Sequence, residues 1–104
     1  LLALFDGVGA RAASHANAMA TRLRETLEAG IADGTIRGLS FSQPTQANAV
    51  FAVLPNAAAD RIRARFRFYD WDRAAGQVRW MTAYDTTEAD VDGFVAAIRE
   101  ELAR

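Results

Sequence analysis

Residues Phe66–Phe94 read FRFYDWDRAAGQVRWMTAYDTTEADVDGF, and this stretch punctuates the fold. Phe66–Trp71 carries the aromatic content that suits a pleated, half-buried strand. Asp72–Gly76 supplies a hairpin loop in which Gly76 is free to take a positive φ. Gln77–Ala83 returns as the next strand, with Val78 and Trp80 on one face and Arg79 on the other. Thr87-x-x-Asp90 is then a capping pattern ahead of Val91, Phe94, Val95, Ile98 and Leu102 at helical spacing. Glu88, Asp90 and Asp92 fall where a helix dipole favours negative charge.

Upstream, Ala57–Arg65 reads as a helix behind Pro55, with Asn56 suited to the N-cap. The run Arg61–Phe68 (RIRARFRF) also alternates strictly, but its alanine lead-in favours helix, with the switch to strand near Phe66. Asn48–Leu54 has the β-branched and aromatic content of a central strand, and Ile36–Ser42 reads as a short half-buried one. Gln43-Pro44-Thr45 makes the turn between them. Ala10–Ala32 is a long helix with Ala16, Met19, Ala20, Leu23, Leu27 and Ile31 on one face, stopped by Asp33-Gly34. Arg24 and Glu28 stand four apart within it and can pair.

The order α-β-β-α-β-β-α predicts an α+β domain: an antiparallel sheet of about four strands with its helices gathered on one face. Before it, Leu1, Leu4, Phe5 and Val8 form a helical stripe that Gly7 and Gly9 should interrupt or loosen. Residues 1–9 are therefore expected to be the end of a helix that packs on a domain or partner outside the chain, and residues 10–104 to be the domain itself. The start at Leu1-Leu2, without methionine, also fits an excised piece.

Composition narrows the chemistry. With 104 residues there is room for one core and not two. A net charge of −1 gives no long-range field toward nucleic acid or an anionic membrane, and no apolar run approaches the ~20 residues that span a bilayer. Cysteine is absent, which excludes thiol nucleophiles and iron–sulfur clusters and favours the cytoplasm. All twelve basic residues are arginine. Without lysine, Schiff-base chemistry and lysine general bases are impossible within this chain. The single histidine, His15, has no second histidine or cysteine with which to build a metal site.

Four groups of residues invite a functional reading. Glu88-Ala-Asp90-Val-Asp92-Gly93 loosely matches a calcium-loop start, but the position where that loop needs a bidentate glutamate is Arg99. Asp70 and Asp72 flank Trp71 and read as strand-end polar residues. Arg61, Arg63, Arg65 and Arg67, interleaved with aromatics, could suggest a single-strand nucleic-acid platform. Solvated helix arginines beside core aromatics explain them better. Arg79 is a lone guanidinium on a strand face, either a surface residue or a site for planar, bidentate carboxylate recognition. Periodicity leaves both open.

Four stretches, HANAMATRL (His15–Leu23), QANAVFAVLP (Gln46–Pro55), FRFYDW (Phe66–Trp71) and VRWMTAYDTTEADVDGF (Val78–Phe94), carry a resemblance to the C-terminal small domain of the low-specificity L-threonine aldolases. These are pyridoxal-phosphate enzymes of the aspartate-aminotransferase fold type, and related β-eliminating lyases share the domain. The resemblance implies a parent enzyme that cleaves β-hydroxy-α-amino acids such as L-threonine and L-allo-threonine to glycine and an aldehyde. It also implies that Arg79 holds the substrate α-carboxylate. The Schiff-base lysine and the other cofactor-binding and catalytic residues would then lie in a missing N-terminal domain, leaving none in this chain, and His15 would not be the ring-stacking histidine. A cytoplasmic homo-oligomer of the parent is the further expectation, with the chain alone inactive and binding no cofactor. The alternative is a free-standing α+β binding or interaction module without catalysis. The lyase reading predicts an exposed apolar face; the module predicts a hydrophilic sheet face and a buried Leu1–Val8 segment.

Overall fold

A computed structural model describes the backbone of residues 2–104 and the side chains from Arg11 onward, Tyr69 excepted. Its first element, α1 (Leu2–Asp33), runs unbroken through Gly7 and Gly9. Each glycine costs a helix only about 1 kcal/mol against alanine, and the alanine-rich stretch that follows supports propagation. The expected interruption is therefore absent, and no break separates residues 2–9 from the rest of the helix. The stripe Leu1, Leu4, Phe5 and Val8 lies outside the described side chains. From Ala16 onward the predicted face is buried through Leu27, with Ile31 half-buried. Gly34, at φ +82°, ends the helix, and the Asp33 carboxylate accepts from both the backbone N–H and the hydroxyl of Thr35 at 2.9 and 2.7 Å.

The remaining elements are β1 (Ser40–Phe41), β2 (Ala49–Val53), α2 (Asn56–Arg63), β3 (Tyr69–Asp72), β4 (Gln77–Met81) and α3 (Glu88–Leu102). The order is the α-β-β-α-β-β-α read from the sequence. The four strands form one antiparallel sheet in the order β1-β2-β4-β3. Because β2 pairs with β4, the two hairpins meet at the centre of the sheet.

Register decides which side chains meet the helices. Val50 lies opposite Trp80 and Ala52 opposite Val78, and all four join a single core with Leu23 and Leu27 of α1, Ile62 of α2 and Val91, Val95 and Ile98 of α3. All three helices thus cover one face. The other face carries Ala49 opposite Met81, Phe51 opposite Arg79 and Val53 opposite Gln77.

Two local readings shift and a third holds. β1 is shorter than Ile36–Ser42, because Gly38 at φ +82° breaks the extended path. Ile36 and Leu39 are buried all the same. Asn56 is not a cap: Pro55 occupies that position with no side-chain acceptor, and the Asn56 amide donates instead to the Arg73 carbonyl at 3.1 Å. The pattern Thr87 to Asp90 does form the full capping box, Thr87 Oγ1 accepting from Asp90 N–H at 3.0 Å and Asp90 accepting from Thr87 N–H at 2.9 Å.

Three arginines of the run, Arg61, Arg63 and Arg65, form ion pairs on the helix layer. Arg61 donates through Nε to the buried Glu101 carboxylate at 2.9 Å and through Nη2 to the Glu101 carbonyl at 2.8 Å. Arg65 reaches Glu100 at 2.7 Å, and Arg63 bonds Asp60 and Asp70. Phe66 and Phe68 turn inward against Phe94.

Candidate functional site

The open face of the sheet is organised by one irregularity. Tyr69 lies opposite Arg79 and Asp70 opposite Val78, yet the next pair is Asp72 with Gln77. Trp71 is therefore an extra residue, a β-bulge, and a bulge bends its strand and re-aims the side chain it carries. The Trp71 ring meets Phe51 edge-on, with centroids 5.2 Å apart at 73°. Cζ of Arg79 stands 5.1 Å from the Trp71 ring centroid, a cation–π arrangement contributing about 0.5–1 kcal/mol at an exposed site.

Packing against Trp71 leaves Phe51 only 5% exposed although it faces away from the helices. Trp71 and Met81 remain 52% and 53% exposed on this face. An apolar frame thus surrounds a cation.

Arg79 differs from the other arginines. Arg11, Arg37, Arg67, Arg79 and Arg99 have no ion-pair partner among the described residues, and of these only Arg79 is half-buried. Its Nε is covered and has no hydrogen-bond partner among the described residues. That leaves the terminal Nη pair as the donors for planar, two-point recognition of a carboxylate. Its strand is held on both sides, by β2 and by β3. The arrangement can bind and orient an anion; among the described residues it contains no nucleophile or proton-transfer group beside the guanidinium.

The other candidates take up structural positions. His15 Nε2 hydrogen-bonds the Thr86 carbonyl at 2.5 Å, tying α1 to the segment before α3. Both oxygens of Asp92 accept from Arg22 Nη2 at 3.1 Å, so the acidic start of α3 is occupied by its cap and by α1. Asp70 pairs with Arg63 and Arg73, and Asp72 accepts from the Ala75 N–H inside the hairpin loop. Arg73 also grips both oxygens of Asp60 at 3.0 Å, and this bond, with Arg63 beside it, holds the Asp60 carboxyl below its ordinary range. Among the described residues no group of three histidines or acids is placed to hold a metal ion, and no helix is long and apolar enough to cross a membrane.

Sequence reasoning singled out Arg79 but not its setting. Trp71 and Phe51 were legible only as strand aromatics; the β2–β4 register that sets Phe51 opposite Arg79 and the bulge at Trp71 have no local signature in the sequence. A search of protein-family models and of curated proteins finds no match to this chain.

Proposed function

We propose that this chain is the small-domain part of a pyridoxal-phosphate-dependent lyase that cleaves β-hydroxy-α-amino acids, and that Arg79 holds the substrate α-carboxylate. The observation that carries the proposal is the half-buried guanidinium without a carboxylate partner among the described residues, framed by Trp71 and Phe51 on the open sheet face. A carboxylate held by a fixed arginine has its rotation restricted, and orientation is a large part of what an enzyme contributes to such a reaction. The exposed Trp71 and Met81 agree with a face that another domain covers.

No residue of this chain fits covalent attachment of the cofactor, since the sequence has no lysine. The cofactor site and the proton-transfer groups are accordingly assigned to a domain outside these 104 residues. The substrate class is L-threonine and L-allo-threonine, and the setting a cytoplasmic homo-oligomer, in keeping with the absence of cysteine.

The test is Arg79→Lys in the full-length protein. Loss of a bidentate charged pair should raise KM for threonine roughly 10- to 100-fold, the 1.5–3 kcal/mol of a charge-assisted bond, with cofactor affinity unchanged. Unaltered amino-acid kinetics would refute the assignment. Tight carboxylate binding by the isolated chain, with no upstream catalytic domain in its gene, would favour the free-standing module instead.

A further inference from the structure

Among the described residues, three arginines place the guanidinium over an aromatic ring. Cζ of Arg24 stands 3.8 Å from the Phe41 centroid, Cζ of Arg63 4.7 Å from that of Phe68, and Cζ of Arg79 5.1 Å from that of Trp71. Arg24 is also held by Glu28 at 2.8 Å, and Arg63 by Asp60 and Asp70. Arg79 has no such second hold: among the described residues it has no ion-pair partner, and its Nε makes no hydrogen bond. Trp71 is the group found there to hold its charge.

The difference matters for binding. An aromatic face attracts a cation through its quadrupole and takes up none of its N–H donors. A carboxylate in the same place would occupy the terminal Nη groups and compete with an incoming anion. A long arginine side chain also loses rotamer freedom when it is fixed. A ring that restrains it in advance lowers that cost at the moment of binding.

Trp71 is itself well secured. The aspartates on either side of it are tied down: Asp70 accepts from Arg63 Nη2 and lies 3.6 Å from Arg73 Nη1, while Asp72 accepts from the Ala75 N–H at 3.3 Å. Phe51, 5% exposed, packs against the indole from β2. The sequence Asp70-Trp71-Asp72 thus reads as a fastened ring, with a carboxylate anchor on each side.

We propose that Trp71 is a positioning residue for Arg79: its ring restrains the guanidinium before a carboxylate arrives and leaves the Nη groups free to bind it. The kinetic consequence rests on the substrate role proposed for Arg79; the positioning itself does not.

Two measurements keep these apart. In the nitrogen-15-labelled chain, the mobility of the Arg79 Nε–H is read from its heteronuclear NOE, with Arg79→Lys assigning the signal. Arg37, exposed and without an ion-pair partner among the described residues, is the internal reference. Arg79 should be clearly the more rigid of the two. Trp71→Leu should bring it to the level of Arg37, and Trp71→Phe should restore most of the order. A wild-type Arg79 as mobile as Arg37, or one whose order survives Trp71→Leu, would overturn the proposal. The wild-type comparison stands even where a variant loses its fold. In the full-length protein, Trp71→Leu should raise KM for threonine roughly 2- to 5-fold, the equivalent of a cation–π contact of about 0.5–1 kcal/mol. Cofactor affinity should be unchanged, Trp71→Phe should rescue KM, and Trp71→Leu added to Arg79→Ala should lower kcat/KM no further. A KM raised by Arg79→Lys but untouched by Trp71→Leu also overturns the proposal. If neither change moves KM, the substrate role of Arg79 fails, and the NOE still decides the positioning.

Discussion

Gly76→Ala tests whether the hairpin that carries Trp71 and Arg79 is held as described. Gly76 has φ +70°, a conformation that costs an L-residue about 1–2 kcal/mol. A Cβ there would stand 2.9 Å from the Leu54 carbonyl oxygen, so backbone must move. The bond at risk is the Leu54 N–H to the Gly76 carbonyl, at 3.1 Å, worth about 1 kcal/mol. Alanine returns about 0.4–1 kcal/mol by restricting the unfolded chain, for a net loss of about 2 kcal/mol. In a domain of this size that lowers Tm by about 10 °C. Gly93→Ala is the matched control, because Gly93 lies within α3 and a Cβ there meets nothing within 4 Å. That change should stabilise by about 0.5–1 kcal/mol. Urea unfolding of both variants beside the parent chain measures the contrast. Shifts of the same sign, or wild-type stability for Gly76→Ala, would refute the reasoning.

Thr87→Ala removes the acceptor for Asp90 N–H and should cost about 1 kcal/mol, with Thr87→Ser restoring most of it in the same denaturation assay. Arg61→Ala takes the Nε donor from Glu101, whose side chain is 5% exposed. Removing one partner of a buried ion pair costs about 3–5 kcal/mol; here Arg104 and Arg65 remain at 3.4 and 3.6 Å, so a loss of about 2 kcal/mol is expected from thermal unfolding. Because Arg73 lowers the pKa of Asp60 in the folded state, the stabilisation is present above the unfolded value of about 3.9 and disappears as pH falls through the lower folded value. Stability measured from pH 7 down to pH 2 should therefore show Asp60→Asn less stable at neutrality, with the gap closing on the acid side.

Much of the fold was legible because its signals are local. The face from Ala16 to Ile31, the capping box at Thr87 and the glycine of the β3–β4 loop each announce themselves within a few residues. β1 was overread because Leu39 and Phe41 alternate as strand residues do, while a single glycine at position 38 suffices to end the extended path. Asn56 was misplaced because its best acceptor is the Arg73 carbonyl, far along the chain, and no local rule weighs that option against a cap. Gly7 and Gly9 looked like breaks because propensity scores them singly, whereas a helix responds to the sum over its neighbours. At the candidate site the arginine was visible by alternation, but its frame was not. The contact depends on long-range pairing: Trp71 meets Arg79 only once β3 and β4 are in register, and Phe51 only once β2 and β4 are. Glu101 was missed for a similar reason: its burial depends on α2 meeting α3, and in sequence it is an ordinary polar residue near a helix end.

The ties of α1 have a consequence for how the protein is made. Arg22 meets Asp92, His15 meets Thr86 and Ala16 meets Thr82, partners separated by 70, 71 and 66 residues. Leu23 and Leu27 likewise share their core with Val91 and Ile98. On a ribosome adding roughly 5–20 residues per second, several seconds pass between the emergence of α1 and that of α3. During that interval the nascent helix presents its apolar stripe with no native cover from α3. A message truncated before Glu88 would make a chain in which this stripe never gains its cover from α3. Such a product is a client for chaperones and proteases rather than a weakened copy of the domain.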